Sequence, residues 1–440
     1  MTRSLPPRPT LEHLKKEAKA LLKAHKAGNA KACDTLRLLR RFAKASDEEI
    51  LSADLALSET QFALAMDYGF KSWDAMKAYV ESASGEDSVR RDYSQLSLRG
   101  NGHTDDSFSL TFVAAAKLLG RDAPYEKVFA LSTNPFAPAF FLPEQCPSFW
   151  HQRGRAHGLD ILAKHFGLRY EVLQLPETDI DPVREQEKYR DEYLAKCAPI
   201  LRDVLHHGHV VIIENGWASP KGGPFVSWMW FGMVEEVRDD GTILGATLNG
   251  QHDNHIADLG RCWALSAGEA DMGDMEAERA SLEFAVRRIR AEKPPFEPNE
   301  RMAYGLVAMD AWMKKMDHVP FCEACVESAP DPDRARGWTC ARDCAASVCE
   351  GAAAASVALP KWASHFTPKA GEHLQSAGER YKNIDRLLRP FTTWDNGRGY
   401  HAMMGNLQKQ KQHAEDVLRP IMDEFATAAD EIEKAQAAME

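Results

Sequence analysis

The chain lacks any apolar run long enough to cross a membrane: its longest, AAAASVAL at 352–359, is under half of the ~20 residues a spanning helix needs. An apolar leader segment is missing as well. Pro6-Pro7 passes directly into a charged helical stretch, so the expected location is cytoplasmic and no membrane partner is expected. Positive charge is in deficit, with 54 Lys and Arg against 65 Asp and Glu, and the net charge of −11 argues against nucleic acid as a general partner. A phosphate-binding loop is absent; Lys221-Gly222-Gly223 has glycines but not the spacing. No histidine occurs from 210 to 251.

What is present is the composition of an ordinary globular protein, 44% hydrophobic and 27% charged, in 440 residues. That length exceeds a single core and predicts two or three domains. Charge is unevenly spread: residues 1–45 hold twelve Lys and Arg against three Asp and Glu. This basic head either touches an acidic partner or the acidic remainder of its own chain, or is a solvated helix face.

Periodicity divides the chain into three regions. Residues 1–85 read as a helical module, with Leu11, Leu14, Ala18, Leu21 and Leu22 at helical spacing and Ser58 as a cap for a second helix. Ser82-Ala-Ser-Gly-Glu-Asp-Ser is a polar linker. Residues 95–268 change to a mixed pattern. Helices are expected at 107–119, near 154–166 and ending near His206, followed by strands at 172–175, 209–214, 225–237 and 243–248, with Asp239-Asp240-Gly241 as a hairpin turn. Residues 269–440 read as helical and are expected to pack over the middle region or to form a homo-oligomer contact. The fold class is α+β.

Two segments carry resemblances. LSETQFALAMDYGFKSWDAMKAYVE resembles the helical segment that precedes ankyrin repeats in many bacterial proteins, although no 33-residue repeat comes after it. NGHTDDSFSLTFVAAAKLLG, at 101–120, resembles the nucleophile helix of papain-like enzymes, in the manner of the double-glycine peptidases: Asn101 falls at their Gln, Asp106-Ser107-Phe108 at Asp-Cys-Gly, and Gly120 at the helix end. FALSTNPFAPAFFLP and HQRGRAHGLDILAKHFGLRYEVLQL resemble the segments after that helix in acyltransferases of the butirosin-biosynthesis type. The resemblance implies a papain-like central domain, a helix bundle plus antiparallel sheet. It also implies an acyl- or amide-processing enzyme of bacterial specialised metabolism, acting on an acyl, peptidyl or small-molecule substrate.

The chain departs from that pattern twice. Ser107 replaces the cysteine, and the strand on which a histidine base is expected offers Ser227, Trp228, Trp230 and Phe231. A serine without a positioned base is a poor nucleophile. Asn101 is expected as oxyanion donor and Asn249 as an orienting group. Three roles for Ser107 stand open: a helix cap beside Asp105 and Asp106, a nucleophile served by His103, His252 or His255, or a contact to a ligand held without covalent chemistry. The corresponding alternatives for the whole chain are a non-catalytic relative that binds a small molecule or peptide, and a metal-dependent enzyme. Trp217, Trp228 and Trp230, with Asp106 and Glu214 at the polar edge, are expected either in the core or lining a pocket.

Metal would come from His103 with Asp105 and Asp106, or from cysteines. Five of nine cysteines lie between Cys322 and Cys349, and Cys322, Cys325, Cys340 and Cys344 have spacing compatible with structural zinc. Disulfide or redox use, and plain burial as small hydrophobes, are the other open readings. No cofactor is specified by the sequence.

Overall fold

Apolar residues at three- and four-residue spacing build the N-terminal helices α1 (Leu11–Lys26), α2 (Lys31–Leu36), α3 (Asp47–Ser52) and α4 (Leu57–Asp67). The structure is a computed structural model that describes residues 11–77, 89–90, 106–141, 156–180, 185–217, 226–247, 254–291, 302–317, 337–392, 403 and 406–439. The chain divides into two compact units, Met1–Ser88 and Val89–Glu440.

In the first unit Leu14 and Ala18 of α1 pack with Leu64, Ala65 and Tyr68, while Cys33, Leu36, Phe42 and Ile50 form a second small core. Ser46 and Glu49 cap α3 reciprocally. The cap expected at Ser58 is displaced. Ala56 holds the N-cap position and its own N–H donates to Glu59 Oε2 at 3.0 Å, the half of a capping box that the N3 glutamate supplies, and Ser58 lies within the first turn. Tyr68-Gly69-Phe70 ends the helix. Gly69 takes φ +82°, and the N–H groups of Phe70 and Gly69 donate to Ala65 and Met66 carbonyls at 2.9 and 3.0 Å, which satisfies the last turn. Ser72 Oγ then accepts from the Ala75 N–H at 3.0 Å and starts the next helix.

The second unit is mixed α+β. Its first half contains β1 (Val89–Arg90), α5 (Ser107–Leu118), α6 (Tyr125–Leu131), β2 (Ala139–Phe141), α7 (Leu159–Phe166), β3 (Leu168–Val172), α8 (Ala195–His206), β4 (Val210–Trp217), β5 (Val226–Val237), β6 (Ile243–Thr247) and β7 (Asn254–Ala267). The second half is α9 (Asp274–Ile289), β8 (Met302–Tyr304), α10 (Gly305–Lys315), α11 (Gly337–Ala363), α12 (Pro368–Leu388), α13 (Leu407–His413) and α14 (Arg419–Ala437).

The large sheet is antiparallel with order β1-β5-β4-β7-β3, and β6 pairs with both β5 and the start of β7. Alternation along the strands separates two cores. Val210, Ile212, Phe231, Met233, Trp263 and Leu265 join one with α5; Val211, Ile213, Val234, Val237 and Cys262 join the other with Leu201 and Leu205 of α8. The sheet is therefore buried on both faces.

His255, one of the candidate bases named from the sequence, lies in β7, opposite Leu244. Asn254 pairs with Gly245 of β6 and Asp258 with Gly216 of β4, and this pairing overrides the low strand propensity of both residues.

The helices after residue 269 complete the first of those cores. Leu282, Trp312, Leu359, Leu374, Tyr381 and Phe425 belong to the same cluster as Phe108 and Ile212. Sheet and C-terminal helices thus form one unit. Among the described residues no helix is long and apolar enough to cross a membrane.

Candidate functional site

Helix α5 begins at an aspartate because a carboxylate can satisfy the free N–H groups of a first turn and favours the positive end of the helix. Asp106 is the N-cap, and its Oδ1 accepts from the Ser109 N–H at 2.6 Å. Ser107 comes next as the first helical residue and is 0% exposed. Its Oγ accepts a hydrogen bond of 3.2 Å from the backbone N–H of Phe231 on β5. Phe231 meets Phe108 edge-on with ring centres 5.1 Å apart, and stacks on Trp263 at 5.9 Å. The Ser107 hydroxyl is thereby engaged by the sheet, inside an aromatic layer.

Behind Asp106 lies a buried polar network. Asp106 Oδ2 accepts from Asn134 Nδ2 at 2.8 Å, and Asn134 Oδ1 accepts from Arg288 Nη1 at 3.2 Å. Burial pushes the Asp106 carboxyl up to about 6, against the lowering effect of its hydrogen bonds and of the Arg288 charge. Arg288, on α9, is 2% exposed and its guanidinium carbon stands 5.5 Å from the Tyr304 ring centre.

The segment that presents Asn134 is held in an unusual shape. Thr133 is fully buried at φ +66°, a left-handed conformation that is strained for a β-branched side chain by about 1–3 kcal/mol. Several contacts fix it. Tyr381 of α12 donates from its hydroxyl to the Phe136 carbonyl at 2.7 Å, and its own ionisation is pushed well up by burial. Gly158 lies so close that a Cβ there would meet Ser132 Cα at 2.6 Å. A cavity of about 20 Å³, lined by Asn134, Arg288, Ser347 and Gly351 among others, adjoins the network, and it has room for about one water but not for a substrate.

This arrangement can position and neutralise charge. In this structure the Ser107 hydroxyl is buried and its Oγ accepts from the backbone of β5.

No family model and no curated protein matches this chain.

Of the residues expected from sequence, Asp106 and Ser107 come together with β5 as described. Glu214 lies on β4 opposite Phe231, half-buried. Trp217, Trp228 and Trp230 are placed by backbone register: Trp217 opposite Val226 and Ile256, Trp230 opposite Asn215, and Trp228 in β5. Asn101, His103, Asp105, Asn249 and His252 lie outside the described residues, as do Cys322 and Cys325. Cys340 is placed within α11 by its backbone.

Cys344 and Cys349 are 0% and 2% exposed in the core shared with the sheet. Burial, with the nearby Asp385 charge, pushes the Cys349 thiol far up, the opposite of what a thiolate ligand or reactive thiol requires. Among the described residues no group of three or more His, Cys, Asp or Glu could hold a metal ion.

Asn134, Thr133 and Arg288 are not marked by any sequence motif. For Arg288 a signal is present: Ala277, Ser281, Leu282, Ala285 and Ile289 mark the buried face of α9, and Arg288 falls in phase with them. Glu278 shares that face, is 3% exposed, and pairs with His365 Nδ1 at 2.8 Å.

Proposed function

We propose that the α+β domain is a non-catalytic, papain-like binding module, which holds a small molecule or peptide without forming a covalent bond to it. The observation that carries this reading is the state of Ser107, fully buried with its Oγ accepting from the Phe231 N–H at 3.2 Å. A nucleophile needs solvent or substrate access and a base within hydrogen-bond reach. In the papain-like reading the strand that should carry the base offers Ser227, Trp228, Trp230 and Phe231, and the Phe231 ring packs on Phe108 and Trp263. Trp217, Trp228 and Trp230 on β4 and β5 are the residues this reading assigns to the ligand. Acyl or amide processing is the reading this burial weighs against.

Incubation of the full chain with activated acyl thioesters, followed by intact-mass measurement, tests the proposal. No adduct is expected, and native mass spectrometry of the purified protein is expected to show a ligand released by mild denaturation. An acyl adduct mapping to Ser107 and lost in Ser107→Ala would overturn it.

A further inference from the structure

The large sheet ends on β3, and among the described residues no strand pairs with the outer side of that strand. Two hydrogen bonds show which backbone groups face out. The Gly268 N–H donates to the Gly167 carbonyl at 2.9 Å, and the Leu173 N–H to the Cys262 carbonyl at 2.9 Å. Because successive residues of a strand turn their backbone groups to opposite sides, Gly167, Arg169, Glu171 and Leu173 direct theirs toward β7. Those of Leu168, Tyr170 and Val172 face away from the sheet.

The side chains along this edge alternate between the two faces. Leu168 is buried and Tyr170 half-buried in the core shared with α5, but Val172, next on that face, is 46% exposed. On the opposite face Arg169 and Glu171 are exposed, and Leu173 packs on the second core. Such an edge is a template for another strand, and the order of charges decides which one. Arg169 and Glu171 flank Tyr170 with opposite signs. A two-fold axis through Tyr170 therefore sets each arginine opposite the glutamate of the other strand, as a close pair without backbone bonds between them. A register with Glu171 on the axis sets glutamate against glutamate, and one centred on Val172 leaves Glu171 opposite Leu173.

We propose that β3 pairs with β3 of a second copy of this chain, antiparallel about a two-fold axis at Tyr170, so that two sheets join into one. Tyr170 exchanges both backbone hydrogen bonds with Tyr170 of the other copy, and Val172 exchanges both with Leu168. The exposed Val172 side chain is covered in the same step, and Arg169 meets Glu171 twice. A contact between identical patches needs a surface that is its own complement, and the order Arg169-Tyr170-Glu171 is one.

Sedimentation equilibrium of the full chain over a concentration series tests the proposal. A dimer is expected. Arg169→Glu and Glu171→Arg each set like charges opposite one another across the axis, and each should weaken the dimer by about tenfold or more. The double variant Arg169→Glu/Glu171→Arg restores the complement and should return dimerisation to within about threefold of the parent. Val172→Pro removes an outward N–H, leaves the bonds to β7 in place, and should weaken the dimer by about tenfold or more, with the fold verified by circular dichroism. A chain that stays monomeric throughout the series, a dimer equally strong in both single charge variants, or a double variant no stronger than the singles would each overturn the proposal.

Discussion

Asp106 and Asn134, 28 positions apart, share a hydrogen bond of 2.8 Å, and the other end of the same amide takes one from Arg288. One asparagine therefore stands between a buried carboxyl group and a buried guanidinium. The carboxyl titrates at about 6 in the fold against 3.8 when free, with burial as the main cause. Between these values the folded chain holds a proton that the unfolded chain has released. The stability gained from this group is thus complete below about 3.8 and lost as pH rises through about 6. Asp106→Asn keeps a capping oxygen and cannot titrate. Relative to it, the parent should lose on the order of 3 kcal/mol between about pH 4 and pH 7 in urea unfolding. Identical pH slopes for the two proteins would contradict this origin.

Gly158→Ala should destabilise the second unit by about 2 kcal/mol, since the new Cβ would meet Ser132 Cα at 2.6 Å and backbone must move to accept it. A lowered urea midpoint with an unchanged slope is the expected result.

Ser107→Cys provides a direct measure of access. With the side chain 0% exposed, the introduced thiol should resist iodoacetamide in the native protein and react once the chain is unfolded. Ser107→Ala leaves the Phe231 N–H without that acceptor and should cost about 1–3 kcal/mol while ligand retention persists. Rapid native alkylation would show that the position opens to solvent.

Tyr381→Phe removes the 2.7 Å hydrogen bond to the Phe136 carbonyl. The carbonyl is buried, so a loss of about 1–3 kcal/mol is expected in unfolding experiments. The effect should be less than additive with Gly158→Ala, because both act on the segment from Ser132 to Phe136.

Local rules made much of the fold legible. The apolar period from Ser107 to Gly120 and the alternation from 225 to 237 located α5 and β5 because each element's own residues carry the pattern. β7 was harder, since Asn254, His255, Asp258 and Arg261 interrupt its apolar positions and only its neighbours in the sheet fix it as a strand. At the site, the sequence marked Asp106 and Ser107 through the capping pattern and the resemblance. It did not mark Asn134 or Thr133, whose roles depend on a left-handed turn and on Arg288, 154 residues from Asn134. The cysteine spacing carried three readings; the structure adds that Cys344 and Cys349 are buried, and burial is a property of tertiary packing.

The shared core also bears on how the protein is made. Phe108 and Ile212 lie in one cluster with Phe425, Ile432 and Ala435. The face of the sheet that meets α5 cannot be fully covered until α14 has emerged from the ribosome, late in synthesis. Through most of translation the nascent chain must hold an unfinished apolar surface, a state in which chaperones compete with aggregation.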